Sequence, residues 1–246
     1  MAGSENKTTL AIDIGGTGIK GMLLNARGKP ASEREREETP NPATPGGVLK
    51  IIDDIASRLG KFDRVSVGFP GVVKHGATLT AHNLHPKWVG FELEAVLAKR
   101  FRKPVRVAND AAVQGFGAIR GKGVELVITL GTGLGSSLFT SGHLVPGLEL
   151  AHHPWRKKTY EDYLGKRGLQ KLGHRRWNKL IEEAIVQIEQ LFNYDHLYIG
   201  GGNAARIDFA LPKHVTRIPN EDGLYGGVAL WHYDQSSISR GKATSI

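Results

Sequence analysis

Thr9-Leu10-Ala11-Ile12-Asp13-Ile14-Gly15-Gly16-Thr17-Gly18-Ile19-Lys20-Gly21-Met22-Leu23-Leu24 decides the fold: an apolar strand, a glycine-rich turn and an apolar return strand. Glycines let a backbone approach an anion closely and aim several N–H groups at it. The same organisation returns at Leu126-Val127-Ile128-Thr129-Leu130, followed by Gly131-Thr132-Gly133-Leu134-Gly135 and a further strand. Two such turns predict two clamps on one phosphorylated substrate, so phosphoryl transfer is the first chemistry expected.

Rival readings of the first turn fail on context. Gly16, Gly18 and Gly21 satisfy GxGxxG, yet a dinucleotide fingerprint needs a helix after the turn, whereas Ile19 to Leu24 is short, apolar and glycine-broken. No GxxxxGK followed by Ser or Thr occurs, which excludes a Walker P-loop. What remains is a purely structural hairpin turn, or a clamp in which Gly15, Gly16, Thr17 and Gly18 offer N–H and hydroxyl donors to phosphate oxygens. On the clamp reading, Asp13 at the strand end is a candidate to hold Mg²⁺ through water, and Lys20 a candidate to neutralise donor charge.

Outward from this hairpin, a third strand is expected from Ser32 to Thr39, then a loop from Pro40 to Gly47, where three prolines oppose regular structure. Val48, Ile51, Ile52, Ile55 and Leu59 recur at helical spacing, and Phe91 to Phe101 carries a second helical stripe. Arg64 to Phe69 and Val105 to Ala108 read as strands, the first leading into Pro70-Gly71. After a helix opened by Asn109-Asp110, strands are expected at Glu125 to Leu130, Ser136 to Thr140 and His196 to Ile199. Helices are expected at Tyr160 to Leu172, Arg175 to Phe192 and Gly223 to Tyr233. The repeated order of strand, glycine turn and strand predicts a duplicated α/β architecture. Its lobes are a small one at 1–112, completed by the helix at 223–233, and a large one at 113–222, with a flexible tail at 235–246.

Asn109-Asp110 is, by composition, an ordinary helix N-cap. At the tip of a buried strand between two phosphate clamps, the Asp110 carboxylate is also suited to take the proton of an attacking hydroxyl, with Asn109 fixing a neighbouring hydroxyl. Glu149 and His152 stand three apart, and Glu161 follows. Acidic groups beside a histidine suit a polyol, whose hydroxyls both donate and accept. A metal site at His152 and His153 and plain surface polarity are the alternatives.

The chain of 246 residues fits two modest lobes. It has no cysteine, which excludes a disulfide or thiolate-zinc framework. No run of eighteen apolar residues occurs, and Met1 to Asn6 lacks a signal peptide's basic and apolar regions, so a cytoplasmic protein without a membrane partner is expected. The net charge is +9, from 33 basic and 24 acidic side chains. Much of the excess lies in Arg156, Lys157, Lys158, Lys166, Arg167, Lys171, Arg175, Arg176 and Lys179, against only Glu161 and Asp162 in the same segment. This is either a solvated helix face or an extended track for an anionic polymer.

The ordered set DIGGTGIKG (13–21), SVGFPGVV (66–73), NDAAVQG (109–115), LGTGLGS (130–136), ELAHH (149–153) and IGGGNA (199–204) resembles the ROK family of sugar kinases, and within it the polyphosphate glucokinase branch. The likeness runs from Thr9 to His232. It implies a two-lobed actin-like ATPase (ribonuclease H-like) fold with an interlobe cleft, and a homodimer. It implies Asp110 as catalytic base, with Asn109, Glu149, His152, Glu161 and Gly71 on the sugar. The residues from Asp13 to Lys20, with Gly131, Thr132 and Gly133, would bind the donor's phosphates, and Gly201 and Gly202 would lie beside the nucleotide. The expected reaction is transfer to the 6-hydroxyl of glucose from polyphosphate or ATP, with Mg²⁺ and without zinc, since the CxCGxxGCxE motif of many members cannot form here. The glycine of the family's ELGH is Ala151, which places the orientation of His152 in question. Repressors of this family carry an added helix-turn-helix domain before the first strand, for which about eight residues leave no room, so no nucleic-acid partner is expected. A strictly ATP-dependent hexose kinase and a non-catalytic sugar or polyphosphate sensor are the alternatives.

Overall fold

A computed structural model describes residues 7–81, 84–219 and 222–232. Its first half is a five-stranded sheet built from β1 (Thr9–Ile14), β2 (Ile19–Leu24), β3 (Glu35–Glu37), β4 (Arg64–Phe69) and β7 (Val105–Asn109), in the order β3-β2-β1-β4-β7. The hairpin expected around the first glycine turn is present: β1 and β2 are antiparallel with Ile14 opposite Ile19. The return segment is a strand, which is why the GxGxxG match carries no dinucleotide fold. The remaining contacts of β1 are parallel, through β4 to β7.

Helix α1 (Pro45–Leu59) begins inside the stretch expected to be loop. Pro45 occupies the first turn, where no backbone N–H is required, and Thr44 caps the helix by accepting from the Gly47 N–H at 3.3 Å. Its stripe of Val48, Leu49, Ile52, Ile55 and Ala56 is buried against Leu10, Ile12 and Ile14 of β1. A small hairpin, β5 (Val73–Lys74) and β6 (Ala77–Thr78), and helix α2 (Leu93–Phe101) complete this side.

The second half repeats the plan. β8 (Val124–Leu130), β9 (Leu134–Thr140), β10 (His143–Val145), β13 (His196–Gly200) and β14 (Val215–Arg217) run in the order β10-β9-β8-β13-β14, again an antiparallel hairpin followed by parallel strands. Between β10 and β13 lie the two-stranded ribbon β11 (Pro154–Trp155) and β12 (Lys158–Thr159), then α4 (Tyr160–Leu164), α5 (Lys166–Leu172) and α6 (His174–Phe192). The single helix expected over 160–172 is broken at Gly165, whose extended backbone (φ −71°, ψ 177°) ends α4 and starts α5. The third strand is shorter than expected. On α6, Trp177, Leu180, Ile181, Ala184, Ile185 and Ile188 form the apolar stripe of this half's core.

Helix α3 (Asp110–Ala118) lies between the halves, and the position expected to divide the lobes, 112/113, falls within it. It meets β9 through Ser137, whose hydroxyl donates to the Ala111 carbonyl at 3.0 Å. The closing helix α7 (Asp222–Ala229) returns to the first sheet, burying Leu224 and Val228 against Ala11, Met22 and Leu24. Trp231 then docks by donating to Ser66 Oγ at 2.8 Å, with the guanidinium groups of Arg64 and Arg106 at 4.9 and 5.0 Å from its ring centroid. The tail expected at 235–246, and Tyr233, lie outside the described residues. Among the described residues no helix is long and apolar enough to cross a membrane.

Candidate active site

Both glycine turns open onto one cleft with a cavity of about 290 Å³. Asp13, Gly15, Gly16, Thr17, Gly18 and Lys20 line it from the first hairpin, and Gly131, Thr132 and Gly133 from the second. Gly71 after β4, Asn109 at the end of β7 and Asp110 at the start of α3 also line it, and Glu149, His152, Glu161, Gly201 and Gly202 do so from the second half. The fold thus gathers all the candidate residues at one place.

The turns are built alike. The Gly15 N–H closes the first by donating to the Gly18 carbonyl, and the Gly131 N–H closes the second by donating to that of Gly133, both at 3.0 Å. Among the described residues the N–H groups of Gly16, Thr17, Gly18, Thr132 and Gly133 have no protein acceptor, so they are available to an anion. Gly201, at φ +86°, lets the third glycine segment press against Leu130: a Cβ there would lie 2.6 Å from the Leu130 nitrogen. Asn203 ties this segment to the second turn by donating to the Gly131 carbonyl at 2.9 Å.

Asn109 is the helix N-cap expected from its position. Its Oδ1 caps α3 by accepting from the Ala112 N–H at 3.2 Å, and its Nδ2 donates to the Gly71 carbonyl at 3.2 Å, fixing the Pro70-Gly71 turn at the cleft. Asp110 follows at the helix start, where its Oδ1 accepts from the Ala111 N–H at 2.8 Å. Burial above all, then the charge of Asp13 and, more weakly, that of Glu149 raise the Asp110 carboxyl to about 7 against the pull of backbone N–H groups. A carboxylate tuned to neutrality is suited to general-base work. If Asp110 must be ionised, kcat/KM should fall about tenfold per unit below pH 7 and level off above it. A pH profile flat from 5 to 8 would remove this role.

Lys20 donates to Asp13 at 3.0 Å, so the two charges proposed for metal and donor neutralise one another in this structure. Glu161, on α4, accepts from the Leu134 N–H at 3.0 Å and thereby holds that helix against the second turn. Ala151 packs into the core with Leu150 and Trp155, and His152 still lines the cleft beside it. Among the described residues no group of three or more His, Asp or Glu side chains assembles a metal site.

The lining also includes residues that are not among the candidates from the sequence, Arg36 and Gln114 among them. Arg36 reaches the cleft from β3, and Gln114 lies one turn after Asp110 on α3. Gln114 is 6% exposed and its Nε2 has no hydrogen-bond partner among the described residues. The four-residue spacing from Asp110 was the available signal for Gln114. Arg36 gave none, because a short polar edge strand has no hydrophobic alternation to fix its faces.

The ROK family profile matches residues 9–154. A polyphosphate glucokinase of Mycobacterium tuberculosis (strain ATCC 25618 / H37Rv) is 31% identical over 218 residues, 85% of this chain and 82% of that protein. A solved inorganic polyphosphate/ATP-glucomannokinase from Arthrobacter sp. strain KM superposes with a TM-score of 0.84 at 32% identity, covering 92% of this chain and 100% of that one. A ROK family glucokinase from Streptomyces griseus, solved with glucose and AMPPNP, superposes with a TM-score of 0.73 at 22% identity, covering 91% and 98%, a likeness of fold. Fold and cleft together define a phosphotransferase of the actin-like ATPase type with a sugar as its acceptor. The chain belongs to the ROK family.

Proposed function

We propose that the protein is a polyphosphate-dependent glucokinase, with ATP as a second donor. The observation that carries the donor assignment is the start of α5: the Lys166 N–H donates to the Gly131 carbonyl at 3.1 Å, so a basic helix begins at the second glycine turn. Lys166, Arg167, Lys171, Arg175, Arg176 and Lys179 are exposed along α5 and the start of α6. Arg156 is engaged by Glu183 and by the Trp155 ring, and adds less. A polymer of phosphates leaving the cleft along α5 meets repeated unpaired cations, which a nucleotide does not require. The names of the mycobacterial and Arthrobacter relatives agree with this donor, and the second leaves mannose as an alternative acceptor.

In the proposed reaction the 6-hydroxyl of glucose gives its proton to the Asp110 carboxylate as its oxygen attacks the terminal phosphorus. The bond from that phosphorus to the bridging oxygen breaks, and the shortened donor leaves with the electron pair. Asn109, Glu149, His152 and Glu161 orient the sugar, and the free N–H groups of both turns stabilise charge on the phosphoryl oxygens. Mg²⁺ bound with the donor phosphates would be held by Asp13, a single carboxylate being a common protein contribution to such a site, and would supply further charge neutralisation. The reading includes a cytoplasmic homodimer, the usual form of the family.

The test is formation of glucose 6-phosphate by the purified protein with glucose, Mg²⁺ and either donor. No product with either donor supports a binding module, and product from ATP alone supports the nucleotide-dependent alternative. In the triple variant Lys166→Ala, Arg167→Ala, Lys171→Ala, the KM for polyphosphate is expected to rise about tenfold or more and to depend less on salt, with the KM for ATP little changed. Unaltered polyphosphate kinetics would refute the track.

A further inference from the structure

A row of paired residues crosses the first sheet beneath the cleft. In register it runs from Arg36 on β3 to Lys20 on β2, Asp13 on β1 and Gly68 on β4. Residues directly opposite one another share a face of a sheet, so Arg36 projects to the side of Asp13. Its neighbours Glu35 and Glu37 project to the other face, where they hold Arg58 of α1 at 2.9 and 2.7 Å. This double grip fixes the alternation of a three-residue edge strand whose register polar residues alone would leave weakly determined.

The Arg36 guanidinium lies over the first glycine turn, with Nε and Nη2 each 3.0 Å from the position of a Cβ on Gly18. It makes no hydrogen bond or ion pair with any described residue. Lys20, the other Lys or Arg lining the cleft, is held by Asp13. The unpaired full positive charge over the first turn is therefore that of Arg36.

We propose that Arg36 is a donor-binding residue that grips the phosphates on the leaving side of the transferred group, an inference that rests on the donor-clamp reading above. The direction follows from the row. Asp110 stands at its Gly68 end, its Cα 3.3 Å from where a Gly68 Cβ would be. Arg36 stands beyond Asp13 by two strand spacings, roughly 10 Å of backbone. In-line displacement puts the attacking and leaving oxygens on opposite sides of phosphorus, so with the base at one end of the row the leaving side falls toward the other. A planar guanidinium suits a phosphate there, because two N–H groups meet two oxygens at once.

Arg36→Met and Arg36→Lys are compared with wild type and with Arg34→Ala, an exposed neighbour that does not line the cleft. Glucose phosphorylation is measured with both donors, and tripolyphosphate binding by calorimetry at graded salt. Arg36→Met is expected to raise the donor KM about tenfold with kcat within about twofold and the glucose KM unchanged. Its tripolyphosphate affinity should lose about one unit of salt slope, and lysine should restore part of the affinity. Melting should be unchanged, since no intramolecular bond is removed. Wild-type donor KM and tripolyphosphate affinity in Arg36→Met would overturn the proposal, as would an equal effect of Arg34→Ala or a fall confined to kcat. Should the wild type phosphorylate no glucose, the reaction reading fails, and calorimetry decides Arg36 by itself.

Discussion

Asp110→Asn is expected to lower kcat by roughly 10²–10⁴-fold, the range for removing a positioned general base. Asparagine keeps the size of the side chain but has no basic oxygen to receive the hydroxyl proton. Stability should move the other way. The carboxyl is raised from 3.8 to about 7, so between those values the folded state holds a proton that the unfolded state has released. That contribution to stability is complete below pH 4 and is lost as pH rises through 7. At pH 8 the wild type buries a charge that the variant lacks. Melting temperatures should coincide near pH 4 and diverge by pH 8 in favour of Asp110→Asn. Near-normal turnover at saturating glucose would remove Asp110 from the chemistry, and a variant less stable at pH 8 would contradict the burial account.

Gly226→Val is expected to destabilise the fold by about 3 kcal/mol or more, at or beyond the upper end for overpacking. A Cβ at Gly226 of α7 would overlap the Val113 carbonyl oxygen and lie 2.8 Å from the Gly117 nitrogen, both in the backbone of α3. Neither group has a rotamer by which to move aside. Relief would require the two helices to separate, and with α3 the start of the helix that carries Asp110. Gly46→Ala is the matched control: a Cβ there meets nothing within 4 Å, and its φ lies outside the left-handed region. Urea unfolding should show a large fall in midpoint for Gly226→Val and little change for Gly46→Ala. Equal midpoints for the two variants would show that this helix contact has slack.

Much of the fold was legible because it is written in short intervals. Hydrophobic alternation and glycine placement gave the strands flanking the glycine turns at 9–24 and 126–140, and the repeat of that unit gave the duplicated α/β plan, while the matching strand order of the two sheets is set by tertiary pairing. Elements lacking such a pattern were misjudged. Pro45 read as a helix breaker, yet the Thr44 cap makes it a first-turn residue. Residues 160–172 carry one helical stripe, while the chain bends at Gly165 where it packs on the second glycine turn. Among the site residues, those in glycine turns and at the α3 start carried local signals. Arg36 did not, because its direction is set by the grip of Glu35 and Glu37 on Arg58, a residue far along the chain.

By itself the sequence determined which turns would offer backbone N–H groups to an anion and which carboxylate would open the central helix, since turn and cap chemistry depend on residues within a few positions. Contrary to expectation, the Gly15 N–H is not one of those groups, because it closes its own turn on the Gly18 carbonyl. Only the tertiary structure decided that Glu149, His152 and Glu161 would face Asp13 and Asp110 across one cleft. It also decided that Lys20 would be paired with Asp13 while Arg36 stays free, and that Asp110 would titrate near neutrality. These properties depend on distance and on exclusion from water. Both are fixed by which surfaces pack together, and no local stretch of chain specifies that.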